Sequence, residues 1–211
     1  MNQIRKWIKE GESEKLEFKS SFGKEVIETL VAFANTDGGR LLIGVKDNGA
    51  IAGMRSDEEF YMVEAAAKMY CKPQVEFDLK EWTVNGKKVL EIIIKKSIQK
   101  PHFAAHKNGK WLVYIRVDDQ NLLANRVLLK VWKKEKQPKG VFLKFTDIEK
   151  LLLDYLETNQ YITLSKFVRI AGISRTRAES ILVKFILLKT LRIVFTTQNT
   201  FYGLREIKSA K

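Results

Sequence analysis

Three acidic residues in the first fifty positions have the types and spacing for metal-assisted chemistry. Glu12 and Glu17 flank a short alternating segment, and Asp47 directly follows a continuous apolar run. Carboxylates gathered at one edge of a sheet would bind a divalent cation through oxygen ligands. Such a cation activates water for attack on a phosphate ester. The alternative is structural, with Glu17 forming an ion pair across the strands with Arg40 or Lys46.

A second set of residues is suited to contact with phosphates. Residues 92–117 contain six lysines and arginines and no acidic residue, with His102 and Trp111 interleaved. This composition favours phosphate contact combined with base stacking. The alternative is a solvated hairpin loop in which Trp111 is buried. The residues predicted to contact nucleic acid in this part of the chain are Lys19, Lys95, Lys96, Lys100, Lys107, Lys110 and Arg116.

The overall charge supports an anionic partner. The chain has 38 lysines and arginines against 25 aspartates and glutamates, which gives a formal net charge of +13. Residues 1–140 carry +7 of this and residues 141–211 carry +6. A basic excess of this size favours a polyanion such as nucleic acid. The alternative is a basic protein whose charge serves no such partner.

Composition also limits the compartment and the covalent chemistry. Hydrophobic residues make up 45% of the sequence, which is ample for folded cores. No apolar segment approaches the roughly 18 residues of a membrane span, so no membrane partner is expected. The charged segment 1–11 lacks the apolar region of a secretory signal. Cys71 is the one cysteine, which excludes an internal disulfide. These features predict a cytoplasmic protein.

Hydrophobic periodicity predicts the elements that position the candidate residues. Asn85-Gly86 is the sharpest hairpin signal, and Asp118-Asp119 is interpreted as a turn. Helices are expected over 1–11, 24–35, 58–70 and 122–132, and strands over 16–19, 41–45, 51–53, 74–84, 87–95 and 111–117. The segment 133–140 contains no apolar residue, has a proline and a glycine near its end, and therefore marks a domain boundary.

The remaining residues predict a winged helix-turn-helix. Three helices are expected from Thr146 to 156, over 163–171, and over 174–188, followed by strands over 191–196 and 200–204. Gly172 supplies the tight turn between the second and third helices. The third helix would be the recognition helix, with Arg175, Arg177 and Lys184 contacting DNA. The alternative is a module for dimerisation or protein docking.

The N-terminal motifs resemble a known family. Residues 11–20 read GESEKLEFKS, residues 32–45 read AFANTDGGRLLIGV, and residues 114–117 read YIRV. These three motifs, in this order, are similar to those of the Schlafen/AlbA-2 family, and the resemblance spans about residues 1–130. It implies an α+β fold: an AlbA-2-like domain with a mixed sheet over 1–132, a basic linker over 133–140, and a small winged-helix domain over 141–208.

The resemblance also implies a function. Bacterial relatives are usually described as DNA-binding transcriptional regulators, which makes DNA the favoured partner and RNA the alternative. Some eukaryotic relatives are endoribonucleases that use three acidic residues, and Glu12 and Glu17 match the first two. The third position is in doubt, since Lys46 stands where many relatives have an acid, with Asp47 next to it. Mg²⁺ or Mn²⁺ is expected only for a nuclease, and no other cofactor is. A homodimer is expected because palindromic DNA sites favour two-fold proteins.

Overall fold

The computed structural model describes residues 3–206 except 138, 139, 141 and 143. The chain divides into two compact units, Met1–Ala124 and Asn125–Lys211, hereafter the N-terminal and C-terminal units. Each unit has a hydrophobic core of its own. Within the described ranges, no helix combines the length and the apolar character that crossing a bilayer requires.

A mixed four-stranded sheet forms the centre of the N-terminal unit. The elements in chain order are α1 (Gln3–Glu10), β1 (Leu16–Lys19), α2 (Lys24–Asn35), β2 (Gly39–Ile43), α3 (Glu58–Met69), β3 (Cys71–Lys72), β4 (Phe77–Val84), β5 (Lys87–Ile94), β6 (Phe103–Ala105), β7 (Trp111–Leu112), β8 (Tyr114–Val117) and β9 (Gln120–Leu123). The sheet has the order β1-β2-β5-β4, and β1 pairs with β2 in parallel while the other pairs are antiparallel. The predicted α+β class with a mixed sheet is confirmed.

Helix α2 is the main support of this sheet. It contacts β2 and β5 of the sheet, and it also contacts β8 and β9, which form a separate hairpin. Because α2 has neighbours on two sides, nine of its twelve residues are buried, including Leu30 and Phe33. Gly38 ends the turn after α2 with φ +73°, and a Cβ there would lie 2.6 Å from the carbonyl oxygen of Ile94. Only glycine allows α2 to be followed so closely by β2.

Three predicted elements differ from the structure. The strand predicted over 51–53 is reduced to an isolated bridge between Ile51 and Val45. The strand predicted over 111–117 is divided, since β7 pairs with β6 whereas β8 pairs with β9. The start of the helix predicted over 122–132 belongs to β9, where Leu122 and Leu123 pair with residues of β8. The helix begins at Arg126 instead, because the side chain of Asn125 caps it by accepting a hydrogen bond from Leu128 N. Asp118 has φ +51° in the turn between β8 and β9. The predicted turn at Asp118-Asp119 is therefore present, and the element that follows it is the strand β9.

The C-terminal unit contains four helices and a hairpin within its described residues. They are α4 (Arg126–Glu135), α5 (Asp147–Thr158), α6 (Leu164–Ala171), α7 (Arg175–Leu187), β10 (Leu191–Phe195) and β11 (Thr200–Leu204). The division between units falls after Ala124, whereas the sequence predicts it after Trp132. The reason is that α4 buries Val127 and Val131 in the same core as α7. Part of the predicted linker, residues 133–135, is therefore helical.

Cys71 lies in β3 and belongs to the core of the N-terminal unit. Burial disfavours the charged thiolate and raises the pKa of the Cys71 thiol to about 12. Its role in the structure is therefore that of a small apolar core residue.

Candidate nucleic-acid interface

The three predicted acidic residues lie in one neighbourhood, hereafter the acidic cluster (Glu12, Glu17 and Asp47). Glu12 follows α1, and its Oε1 accepts a hydrogen bond of 2.9 Å from the backbone N–H of Phe18. Burial raises the pKa of Glu12, and the negative charges of Glu17 and Asp47 raise it further against the opposing effects of Phe18 N–H and Lys19. Glu17 and Asp47 therefore both lie close enough to Glu12 to disfavour its charged form.

The cations in this neighbourhood come from the protein itself. Glu17 is 5% exposed, and its Oε1 lies 2.5 Å from Lys19 Nζ while its Oε2 lies 2.6 Å from Arg116 Nη2. Glu17 Oε2 has no hydrogen-bond partner of good geometry. Its contact with Arg116 is therefore an ion pair and not a hydrogen bond. Both oxygens of the central carboxylate are therefore occupied by side-chain cations, and neither is left to coordinate a metal.

Lys19 is held as the counterion of this cluster. Burial alone would lower the pKa of Lys19, but its hydrogen bond to Glu17 and the charges of Glu17, Glu12 and Asp47 outweigh burial and raise it. Among the described residues, no group of three or more His, Cys, Asp or Glu side chains has the arrangement of a metal site. The cluster as it stands does not fit Mg²⁺ or Mn²⁺. Lys19, which the sequence predicts as a phosphate contact, is already paired with Glu17, although it also lines a surface cleft with Lys107.

Arg116 is also not a phosphate contact. Its residue is 4% exposed, and its guanidinium donates hydrogen bonds to the carbonyl oxygens of Ser13 (2.9 Å) and Leu16 (3.3 Å) and to Asn121 Oδ1 (3.1 Å). With Glu17, these groups satisfy the guanidinium within the fold. The prediction was wrong because an arginine in a basic segment was assumed to face solvent, whereas all four residues of β8 are buried.

Three further predicted lysines are at the surface but already have partners. Lys95 Nζ lies 3.0 Å from Asp78, and Lys96 Nζ lies 2.6 Å from Asp37. The hydrogen bond from Lys96 is the main reason that the pKa of Asp37 is lowered. Lys100 Nζ donates a hydrogen bond of 3.0 Å to the carbonyl oxygen of Thr36. The positive charges of Lys95 and Lys96 are therefore partly neutralised.

The turn between β6 and β7 presents two exposed cations of this segment, Lys107 and Lys110. In this hairpin tip (residues 105–111), Lys107 and Lys110 are exposed and pair with no carboxylate in the part of the chain that the structure describes. Asn108 Oδ1 accepts hydrogen bonds from Lys110 N (3.2 Å) and His106 Nδ1 (2.9 Å), which orders the turn. Trp111 is 43% exposed, so its ring is available for stacking rather than buried.

A polar cleft adjoins the hairpin tip. It has a volume of about 500 Å³, and Lys107 lines it together with the N-terminal end of α2. Gly23 is the cap residue of α2, and because it is a glycine it cannot accept a side-chain hydrogen bond from the first turn of the helix. Ser20 and Ser21, which precede it, also line the cleft. Lys24 also lines the cleft and pairs with Glu28 at 3.0 Å. The predicted set omitted Lys24 because it opens a helix far from the basic segment.

In the C-terminal unit, the first turn of α7 is well ordered and exposed. Ser174 caps α7 by accepting a hydrogen bond from Arg177 N, and Gly172 adopts the left-handed conformation at the end of α6, both as predicted. Arg177 is exposed and pairs with no carboxylate among the described residues. Arg175 is exposed as well, with its Nε 3.5 Å from Glu179. Lys184 is half-buried on the following turns.

One comparison with known proteins, that with family models, agrees with the N-terminal motifs. The family model described as Schlafen, AlbA_2 matches residues 12–125. Among curated proteins, none matches the chain in sequence. A solved N-terminal domain of an ATP-dependent DNA helicase RecG-related protein from Nitrosomonas europaea is 21% identical, with a TM-score of 0.42, covering 60% of this chain and 97% of that one. The DIP2311 protein from Corynebacterium diphtheriae is 16% identical, with a TM-score of 0.42, covering 69% of this chain and 35% of that one.

The buried ion pair generates a stability prediction. Arg116→Met should lower the free energy of unfolding by about 3–5 kcal/mol, because it leaves buried Glu17 with one cation instead of two. The double variant Glu17→Gln/Arg116→Met should recover a large part of this loss. Urea denaturation followed by circular dichroism measures the stability of both variants. Lys110→Met is the control, because it also removes one positive charge but from an exposed position. Equal stability of the Arg116→Met and Lys110→Met variants would contradict the structural role of Arg116.

Proposed function

The chain belongs to the Schlafen AlbA_2 family, and from this premise we propose that it is a nucleic-acid-binding protein acting as a DNA-binding transcriptional regulator. The observation that carries the proposal is the hairpin tip, where Lys107, Lys110 and Trp111 are presented to solvent on an ordered turn. They belong to a chain with a net charge of +13. Unpaired cations beside an exposed aromatic ring suit a phosphate backbone and the bases attached to it.

We further propose that residues 141–208 form a winged helix-turn-helix. The order α5, α6, α7 followed by the β10–β11 hairpin supports this, as does the left-handed Gly172 between α6 and α7. On this proposal α7 is the recognition helix, and its first turn enters the major groove. Arg177 is the better candidate for contact with a base edge, because Arg175 is held by Glu179.

One observation favours a second function, a metal-dependent endoribonuclease. Glu12, Glu17 and Asp47 do share a neighbourhood, as a three-acid site needs. Against it, Lys19 and Arg116 already neutralise Glu17. We therefore favour binding without cleavage.

Binding and cleavage assays on the same material separate the two functions. The chain should shift duplex DNA in a gel, and the logarithm of its binding constant should fall against that of salt concentration with a slope of roughly −4 to −5, for about five neutralised phosphates. Transfer RNA incubated with Mn²⁺ should remain intact. A flat salt response would refute the electrostatic basis of binding. Cleavage of transfer RNA that Glu12→Gln/Glu17→Gln abolishes would make the chain a nuclease.

A matched pair of variants tests the hairpin tip. Lys107→Ala/Lys110→Ala should make the salt slope shallower by about two, because two unpaired cations are lost. Lys95→Ala/Lys96→Ala removes the same formal charge but from lysines paired with Asp78 and Asp37, so its effect should be smaller. Fluorescence anisotropy with labelled duplex over a salt series measures both slopes. Equal effects of the two variants would mean that net charge, and not the tip, determines affinity.

We also propose a homodimer formed through α3. This helix exposes Tyr61 (68%) and Met69 (66%) on either side of Ala65. Residues 57–70 carry four acids and one lysine, a net charge of −3, so the pairing must rest on apolar contact that outweighs the repulsion between two like-charged faces. An antiparallel two-fold pairing about Ala65 would place Tyr61 of each copy against Met69 of the other.

Sedimentation velocity tests the dimer. The wild-type chain should sediment as a dimer at micromolar concentration, and Tyr61→Ser/Met69→Ser should sediment as a monomer, because two exposed apolar contacts on each copy are lost. Ile98→Ser serves as the control, since Ile98 is 96% exposed and lies outside α3. A monomeric wild type, or a variant that dimerises as the wild type does, would contradict the pairing.

A further inference from the structure

Helix α4 has one face made entirely of cations. Arg126, Lys130, Lys133 and Lys134, hereafter the basic stripe, fall within about 100° of arc when residues are placed at 3.6 per turn. Glu135, the one acid of α4, falls outside this arc. Arg126, Lys133 and Lys134 are exposed and have no carboxylate partner in the portion of the chain that is described. The sequence-based boundary obscured the stripe, because it divided these residues between a domain and a linker.

The stripe is held in a fixed position on the C-terminal unit. Val127 and Val131 are buried and anchor α4 in the core. Asn125 caps the first turn, and its Nδ2 donates a hydrogen bond of 3.2 Å to Thr200 on β11. The cations therefore project from a packed helix and not from a flexible connection.

A buried carboxylate joins the stripe to the first turn of α7. Glu179 is 2% exposed, and its Oε2 lies 2.6 Å from Lys130 Nζ while its Oε1 lies 3.5 Å from Arg175 Nε. One anion thus brings a cation of α4 and a cation of α7 together. The stripe and the exposed Arg175 consequently form neighbouring parts of one basic surface, and Arg177 lies in the same first turn of α7.

The arrangement is unfavourable for α4 by itself. Arg126 with Lys130 and Lys130 with Lys134 are like-charge pairs at i,i+4 spacing, which destabilise a helix, although Glu179 offsets part of this repulsion at Lys130. Arg126 also places a positive charge in the first turn, where the helix dipole favours a negative one. A solvated face would be more stable with acids interspersed. An anion bound along the stripe would relieve the remaining repulsion and the unfavourable charge of Arg126 in the first turn.

We propose that the basic stripe of α4 binds the sugar-phosphate backbone of duplex DNA beside the groove that α7 enters. This inference rests on the proposed DNA-binding function of the C-terminal unit. From Arg126 to Lys134 the stripe is about 12 Å long at 1.5 Å per residue. One strand of B-DNA carries a phosphate every 3.4 Å or so of axis, so the stripe faces about three or four phosphates. Contacts of this kind fix the position of a recognition helix without selecting a sequence.

The test removes the three unpaired cations and retains Lys130, which neutralises the buried Glu179. Arg126→Ala/Lys133→Ala/Lys134→Ala is compared with Lys9→Ala/Lys72→Ala/Lys150→Ala, a control that removes the same formal charge from other exposed positions. Arg177→Ala reports on the first turn of α7. Each full-length variant is checked by circular dichroism and thermal unfolding, and its binding to duplex DNA is measured by fluorescence anisotropy over a salt series.

The stripe variant should bind at least tenfold more weakly than wild type, with a salt slope shallower by about two to three and an equal effect on unrelated sequences. The control should stay within about threefold of wild type. If the stripe variant and the control behave alike, the inference is overturned, whether both bind as wild type does or both are weakened. Loss of affinity in Arg177→Ala would in that case leave the proposed function standing. A wild type that fails to bind duplex DNA would overturn both.

Discussion

The buried contact between Glu17 and Arg116 is the constraint on which the N-terminal unit depends. It joins the first strand of the central sheet to β8, about a hundred residues later in the chain. Burial of two charges is costly unless each is fully compensated. Here Lys19 supplies a second cation to Glu17, and backbone carbonyls of Ser13 and Leu16 accept the remaining guanidinium protons. The segment that leads into β1 is thereby fastened to the hairpin that covers α2.

This constraint also determines where the chain can meet a ligand. A carboxylate that balances the fold's own cations is poorly placed to exchange them for a metal ion. The accessible cations lie elsewhere: on the hairpin tip in the N-terminal unit, and on α4 and α7 in the C-terminal unit. In each case the side-chain oxygen of Asn108, Asn125 or Ser174 accepts a hydrogen bond from a backbone N–H and so orders the backbone next to these cations. Such ordering reduces the conformational entropy lost when a flexible polyanion is bound.

Local chemistry was sufficient to predict much of this architecture. Helix α2 was predicted at its observed bounds, because its apolar residues repeat with helical period and the Asp37-Gly38-Gly39 turn follows it. The Asn85-Gly86 hairpin was predicted equally well, since both residues adopt the positive φ that this dipeptide favours. The cap at Ser174 follows from the same kind of short-range reasoning.

The errors share a different origin, namely partners distant in sequence. Nothing adjacent to Arg116 indicates that Glu17 lies beside it, so a basic segment suggested exposure. Leu122 and Leu123 suit a helix as well as a strand, and only their pairing with β8 decides. The boundary after Trp132 failed for a related reason, because burial of Val127 and Val131 depends on α7. The candidate acids were brought together as expected, but the cations among them could not be foreseen from spacing.

The buried sulfur of Cys71 has a practical consequence for experiments on this chain. Cys71 is 3% exposed, and burial raises the pKa of its thiol, so both access to the sulfur and the thiolate form with which maleimides react are disfavoured. The native thiol is therefore silent toward such reagents while the fold is intact. A cysteine introduced at an exposed position such as Thr176 would be modified selectively, with no need to replace Cys71 first. Fluorophores or spin labels could then be attached at single sites in the otherwise natural sequence.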